Sequence, residues 1–157
     1  GWFWRENEDH TVLPAEELFE RYLTTVGRNS NMLVGMVINT DGEFPKTDTA
    51  AFAKAGQLIR DTFGEPIAKG DTQSVTLPTN TVRVPHYVVL KEDISQGERV
   101  TDYVVRAYDV HGKEILHHSG KVIAHKRILK IPTETVKVTL QITNCRDIPQ
   151  LLPIELY

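Results

Sequence analysis

Hydrophobic and polar positions along this chain follow two different rhythms, and the change falls near residue 66. Before it, unbroken apolar runs alternate with amphipathic helical patterns. The opening Trp2, Phe3 and Trp4 read as a short strand that needs neighbours on both faces. Asp9 or Thr11 then caps a predicted helix, with Pro14 in its first turn and Glu16 and Glu17 near its positive end. Leu18, Tyr22 and Val26 recur every four residues with Phe19 and Leu23 beside them, and Gly27 stops the pattern. "NMLVGMVI" (31–38) follows as a continuous apolar run of strand length, closed by the turn residues Asn39, Asp41 and Gly42. A second helix is predicted from Thr47 or Asp48, with Phe52, Ala55, Leu58 and Ile59 inward and Gly64 and Pro66 at its end. Alternating continuous strands and helices are the mark of parallel α/β architecture. Two such units leave strand edges unpaired, so the pattern reads as part of a larger sheet.

After residue 66 the helical rhythm stops. "EPIAKGDTQSVTLPTN" (65–80) reads as a polar connector. Beyond it come short strand-like runs, of which "TVKVTLQIT" is the clearest. There Val136, Val138, Leu140 and Ile142 alternate with Lys137, Thr139 and Gln141, the period of a half-buried strand. "KVIAHKRILKI" (121–131) also reads as a strand, and His111-Gly112 as a hairpin turn. Closely spaced short strands predict an antiparallel sandwich.

Composition narrows the partners more than the fold. A formal net charge of −3 gives no electrostatic reason to expect nucleic acid. No run approaches the roughly 20 apolar residues of a membrane span. The single cysteine, Cys145, cannot pair within the chain and reads as a small buried residue at a strand end.

The run "YLTTVGRNSNMLVGMVINTDGEF" resembles the end of the catalytic barrel in the α-L-fucosidases of glycoside hydrolase family 29. The matching residues are Val26, Gly27, Arg28, Asn29, Asn31, Leu33, Asp41 and Gly42, and "GWFW" looks like the preceding barrel strand. "VVLKEDISQGERVTDYVVRAYD" and "GKVIAHKRILKI" resemble the discoidin-like sandwich that follows that barrel. The resemblance implies the last part of a (β/α)8 TIM-type barrel over 1–65, a linker over 66–80 and a galactose-binding-like antiparallel β-sandwich over 81–157. It implies a C-terminal fragment of a retaining exo-glycosidase that removes terminal α-L-fucose from glycans, with 1,3- and 1,4-linked fucose preferred. The partners implied are a fucosylated glycan and the remainder of the barrel.

Retaining glycosidases use two carboxyl groups, a nucleophile and an acid/base. In the family both belong upstream of these residues, so no catalytic residue is assigned and the chain alone is expected to hydrolyse nothing. No cofactor or metal is implied. The resemblance assigns sugar contact to Trp2, and to Trp4 on the same strand face. The C–H face and methyl group of fucose suit an indole. Glu6, Glu8, Asp9 and His10 follow on the active-site side, where they could line the sugar or leaving-group site, but they read first as a solvated loop and helix cap. Arg28 and Asn29 fall on the opposite, stability side and read as helix-capping and turn residues. Lys126 and Arg127 read as surface charges, and His125 as a structural hydrogen-bonding residue. The adjacent His117 and His118 point to opposite strand faces, poor geometry for a shared metal. A periplasmic or extracellular bacterial setting is what the resemblance suggests. The competing reading is a carbohydrate-binding β-sandwich module without catalysis.

Overall fold

A computed structural model describes residues 3–157, and Trp2 lies outside the described residues. The chain divides into two compact units. One holds residues up to Thr25 together with Asn31–Gly64, and the other holds Val26–Ser30 and Glu65–Tyr157. The chain therefore leaves the first unit for five residues and returns to it.

The first unit is built on two helices. A 3-10 turn at Asp9–Thr11 precedes α1 (Ala15–Thr24), and α2 spans Lys46–Phe63. Each starts directly after a proline, Pro14 and Pro45, and neither uses a side-chain cap. Proline fits there because its ring fixes φ and its missing N–H falls where a helix has no use for one. The caps expected at Asp9, Thr11, Thr47 and Asp48 are thus not made. The predicted inner faces do form. Ala15, Leu18 and Ala55 are buried together, with Phe52 and Leu58 packed against them. The Phe63 ring lies 6.2 Å from that of Phe19 and 5.9 Å from that of Tyr22.

The run Asn31–Ile38 is where expectation and structure part. It is extended, and its side chains alternate as a strand's would. Met32 and Val34 pack on the helices, while Leu33 is 98% exposed. Yet no strand is formed over these residues, nor at Phe3 and Trp4. A parallel strand exists only through its ladder with neighbours, and the described residues supply none here. The turn after this run is as read: the Asn39 side-chain carbonyl accepts the Asp41 and Glu43 N–H groups at 3.0 and 2.9 Å, and Gly42 has φ +78°.

The second unit contains eight strands in two four-stranded sheets, every pairing antiparallel. The first sheet has the order β1 (Ala68–Lys69), β8 (Glu155–Leu156), β3 (Tyr87–Leu90), β6 (Arg127–Lys130). The second has the order β2 (Ser74–Thr76), β7 (Lys137–Cys145), β4 (Val100–Tyr108), β5 (Glu114–Gly120). Residues of both sheets meet in one core that includes Val88, Leu90, Tyr103, Val105, Val138 and Leu156. On β7 Val138 and Leu140 point inward, as the alternation requires. On β4 both Val100 and Tyr103 are buried, an odd spacing made possible by register shifts at Asp102.

Three expectations for this unit are corrected. Residues 66–80 are not a free linker: they supply β1 and β2, and Gly70 N–H donates to the Ile154 carbonyl. Such short strands pair through their backbone and carry too few residues to show a period. The run 121–131 is a strand only over β6; Val122 and Ala124 have φ +52° and +50° and make a turn instead. Cys145 ends β7 as expected but is exposed, because the inward alternation has lapsed after Ile142.

Candidate functional site

The first unit carries a cleft of about 180 Å³. Its wall includes Trp4, Arg5, Glu8 and Asp9 from the first segment, Gly35 and Val37 from the extended run, and Asp48 and Phe52 of α2. A wider, shallower depression of about 450 Å³ adjoins Phe3 and Trp4 on the side of Met36–Thr40. Trp4 borders both and is half-buried. Pockets that enclose a drug-sized ligand run to roughly 300–1,000 Å³, so the first cleft suits one small ring.

The local chain geometry explains this wall. Thr11 N–H donates to the Glu8 carbonyl at 2.8 Å, and the Thr11 hydroxyl donates to the same oxygen at 2.7 Å. That tight turn folds Glu8 and Asp9 back beside Trp4. Arg5 Nη1 lies 3.4 Å from Glu8 Oε1, an exposed pair that contributes little to stability. The cleft thus combines an indole, a guanidinium and three carboxylates. Such a set can stack on an apolar ring face while hydrogen-bonding hydroxyls around its edge.

Of the residues read as site candidates, Trp4, Glu8 and Asp9 come together on the cleft. Glu6 and His10 are exposed, and His10 Nδ1 is 3.2 Å from the Asn7 carbonyl. Trp2 is outside the described residues. His117 Nδ1 approaches Glu114 Oε1 at 3.1 Å, while His118 sits beside the Tyr103 ring. Among the described residues no group of three or more His, Cys, Asp or Glu could hold a metal ion.

Two residues have jobs that the sequence did not reveal. Asn29 does not cap α1. Its Oδ1 accepts the His125 N–H at 2.9 Å, across 96 positions. Arg127 is not a surface charge: Nη2 donates to the Val122 and Lys121 carbonyls at 2.7 and 3.1 Å. A partner as far along the chain as His125 is from Asn29 leaves no local signal. Only the tolerance of Asn for positive φ, here +63°, hinted at Asn29.

The strongest electrostatic arrangement lies on the first sheet. Lys91 Nζ contacts Glu155 Oε2 at 2.5 Å, Lys69 Nζ lies 3.5 Å from Oε1, and the Tyr157 hydroxyl donates to Oε2 at 3.1 Å. Burial pushes the Glu155 carboxyl up, but the Lys91 and Lys69 ammonium groups and the Tyr157 hydroxyl outweigh it. The carboxyl is held below its ordinary value.

No family model matches the chain and no curated protein matches it in sequence. Solved structures do. A presumptive α-L-fucosidase of Bacteroides thetaiotaomicron superimposes with TM-score 0.86 at 28% identity, over 100% of this chain and 37% of its own. A second, from Bacteroides ovatus, gives TM-score 0.87 at 25% identity, over 100% of this chain and 28% of its own. A fucose-bound family 29 fucosidase of Ruminococcus gnavus shares the fold at TM-score 0.79 and 21% identity, over 100% of this chain and 39% of its own. Two helices followed by antiparallel sheets are therefore the arrangement found in one part of glycoside hydrolase family 29. The resemblance read in the sequence is met in structure: over its whole length this chain superimposes on one part of α-L-fucosidase structures. It spans about a third of their length, in keeping with a C-terminal portion. No helix among the described residues is long and apolar enough to cross a membrane.

Proposed function

We propose that this chain is the C-terminal portion of a retaining exo-α-L-fucosidase and removes no sugar by itself. The observation that carries the reading is full-length agreement with family 29 structures at 25–28% identity. In this reading the first unit is the end of a (β/α)8 barrel. The extended run Asn31–Ile38 is a barrel strand whose ladder partners belong to the remainder of the barrel. Its alternation, with Leu33 outward and Met32 and Val34 on the helices, supports that role. The cleft beside Trp4 lies after the end of the first segment, the side on which barrel enzymes keep their sites. Trp4, and Trp2 with it, stacks on the apolar face of a terminal fucose. The nucleophile and the acid/base stand on earlier strands. The second unit is the galactose-binding-like sandwich, and the substrate is a glycan with 1,3- or 1,4-linked fucose.

An aryl α-L-fucoside tests the inactivity of the chain. Purified protein should release no more aryl alcohol than buffer does. Turnover that disappears with Trp4→Ala would place a complete catalytic apparatus in these residues and overturn the reading.

A further inference from the structure

β5 and β6 are edge strands of different sheets, and residues 121–126 carry the chain from one to the other. Three polar side chains meet beside that crossing on the core side. His118 is paired with Val105, which has no exposure, so both face inward. Tyr103, on the same face of β4, is fully buried, and its ring centroid lies 6.1 Å from that of His118. Arg127 stands two positions before Leu129, which packs on the core, so it takes the same face of β6. Gly120 leaves room for the cluster: a Cβ there would lie 2.3 Å from the Tyr103 hydroxyl oxygen.

The cluster has positive charge and no anion. Arg127 Nη2 donates to the Lys121 and Val122 carbonyls, and its Nε is buried without a hydrogen-bond partner. The one carboxylate of β4, Asp102, is engaged by Lys121 and Asn144, and the one of β5, Glu114, by His117 and Arg106. β6 and residues 121–126 contain no acidic residue; the crossing adds only Lys121, His125 and Lys126. A proton on His118 would therefore face a guanidinium with nothing to shield it. Burial, and after it the Arg127 charge, hold the His118 ring below its ordinary value. Burial pushes the Tyr103 hydroxyl up, so that group stays neutral.

The crossing is also strained. Val122 is β-branched at φ +52°, and Ala124 stands at +50°. Such residues persist only where their surroundings over-determine them. Arg127 supplies two of the contacts that do so, and a third is the Glu92 N–H, which donates to the Ala124 carbonyl at 2.8 Å.

We propose that residues 121–127 form an acid-released latch on the sandwich: a proton on His118 drives the Arg127 guanidinium off the Lys121 and Val122 carbonyls and lets the strained crossing open. The direction in pH follows from His118. Opened to water, the ring binds a proton at its ordinary value of 6.5; closed, it binds one only at lower pH. The latch is at full strength above the ordinary value and weakens as pH falls through it, until the lower closed value is passed. It belongs to the sandwich unit alone and does not rest on the fucosidase reading.

Amide exchange at Glu92 in the 157-residue protein reads the latch, because that N–H is bound to the Ala124 carbonyl. Its protection, corrected for exchange in an unstructured peptide, should fall roughly three- to thirtyfold between about pH 8 and pH 5. The upper figure is the proton-binding advantage at pH 5 of an exposed imidazole with the ordinary value of 6.5. His118→Phe keeps a flat ring without a charge and should hold the protection constant; His118→Gln serves in its place if the phenylalanine variant fails to fold. His117→Gln, next along β5 but on the opposite face and paired with Glu114, should leave the fall intact. Constant protection in the parent protein would overturn the proposal. So would an equal fall in the His118 variant that folds, or a fall that disappears in His117→Gln.

Discussion

The sandwich unit and the helical unit solve the problem of burial in opposite ways. The sandwich closes on itself. Two antiparallel sheets share one core, Val88, Val105, Val138, Ile154 and Leu156 have no exposure, and the edge strand β6 is bridged by Gly27 and Arg28. The helical unit buries only Ala15, Leu18 and Ala55 in its central cluster and leaves Phe3, Leu33, Ile38 and Phe44 more than half exposed. Its extended run has the alternation of a strand without the ladder of one. The difference teaches that an alternating run buries one face on two helices without a ladder, whereas paired sheets bury both their inner faces in a shared core.

The comparison predicts where substitutions hurt. The largest effect is expected at Gly70→Ala. A Cβ there would lie 2.0 Å from the Ser74 carbonyl oxygen and 2.7 Å from Val75 Cα, so backbone must move. A loss of about 3 kcal/mol or more in the unfolding free energy of the sandwich is expected by denaturant titration, at the upper end of overpacking costs. Leu90→Ala, at a site 1% exposed, should cost about 2–5 kcal/mol in the same titration.

Glu155→Gln should cost less, about 1–3 kcal/mol at neutral pH, because it leaves Lys91 and Lys69 without their carboxylate. The pH dependence has a definite sign. The Glu155 carboxyl sits below its ordinary value when folded, so its contribution is full above the unfolded carboxylate range near 4.5. It is lost as pH falls through the lower folded value. Parent and Glu155→Gln proteins should therefore differ most in stability near neutrality and converge in acid; a constant gap down to pH 2 would contradict this. The smallest effect belongs to the helical unit. Leu33→Ser, at 98% exposure, should change stability by less than about 0.5 kcal/mol and reduce binding of an apolar dye. A large destabilisation there would mean that the run is buried in solution and would erase the contrast.

How far the fold was legible follows the same division. β7 and the two helical faces were visible because a period of two or 3.6 holds over many residues. The hairpin at Asp109–Lys113 was visible because Gly112 takes φ +77° and the Asp109 side chain accepts the His111 and Lys113 N–H groups, all within five positions. β1 and β2 were hidden because two or three residues cannot show a period. The turn at Val122–Ala124 was hidden because its residues favour strands, and distant partners force them into positive φ. Trp4, Glu8 and Asp9 were legible as neighbours in sequence, whereas Val37 and Phe52 on the opposite wall became neighbours only through folding. Asn29 acts through a partner 96 positions away, and Arg127 through nearby carbonyls that only the turn at Val122–Ala124 directs towards it.

The central claim is that these residues finish an α-L-fucosidase. The most direct measurement reads the coding sequence upstream of Gly1, expresses the extended protein and follows an aryl α-L-fucoside by NMR. The account predicts release of α-L-fucose with retained anomeric configuration by the extended protein and none by the 157-residue chain. An extended protein that folds but leaves every α-L-fucoside intact would contradict it.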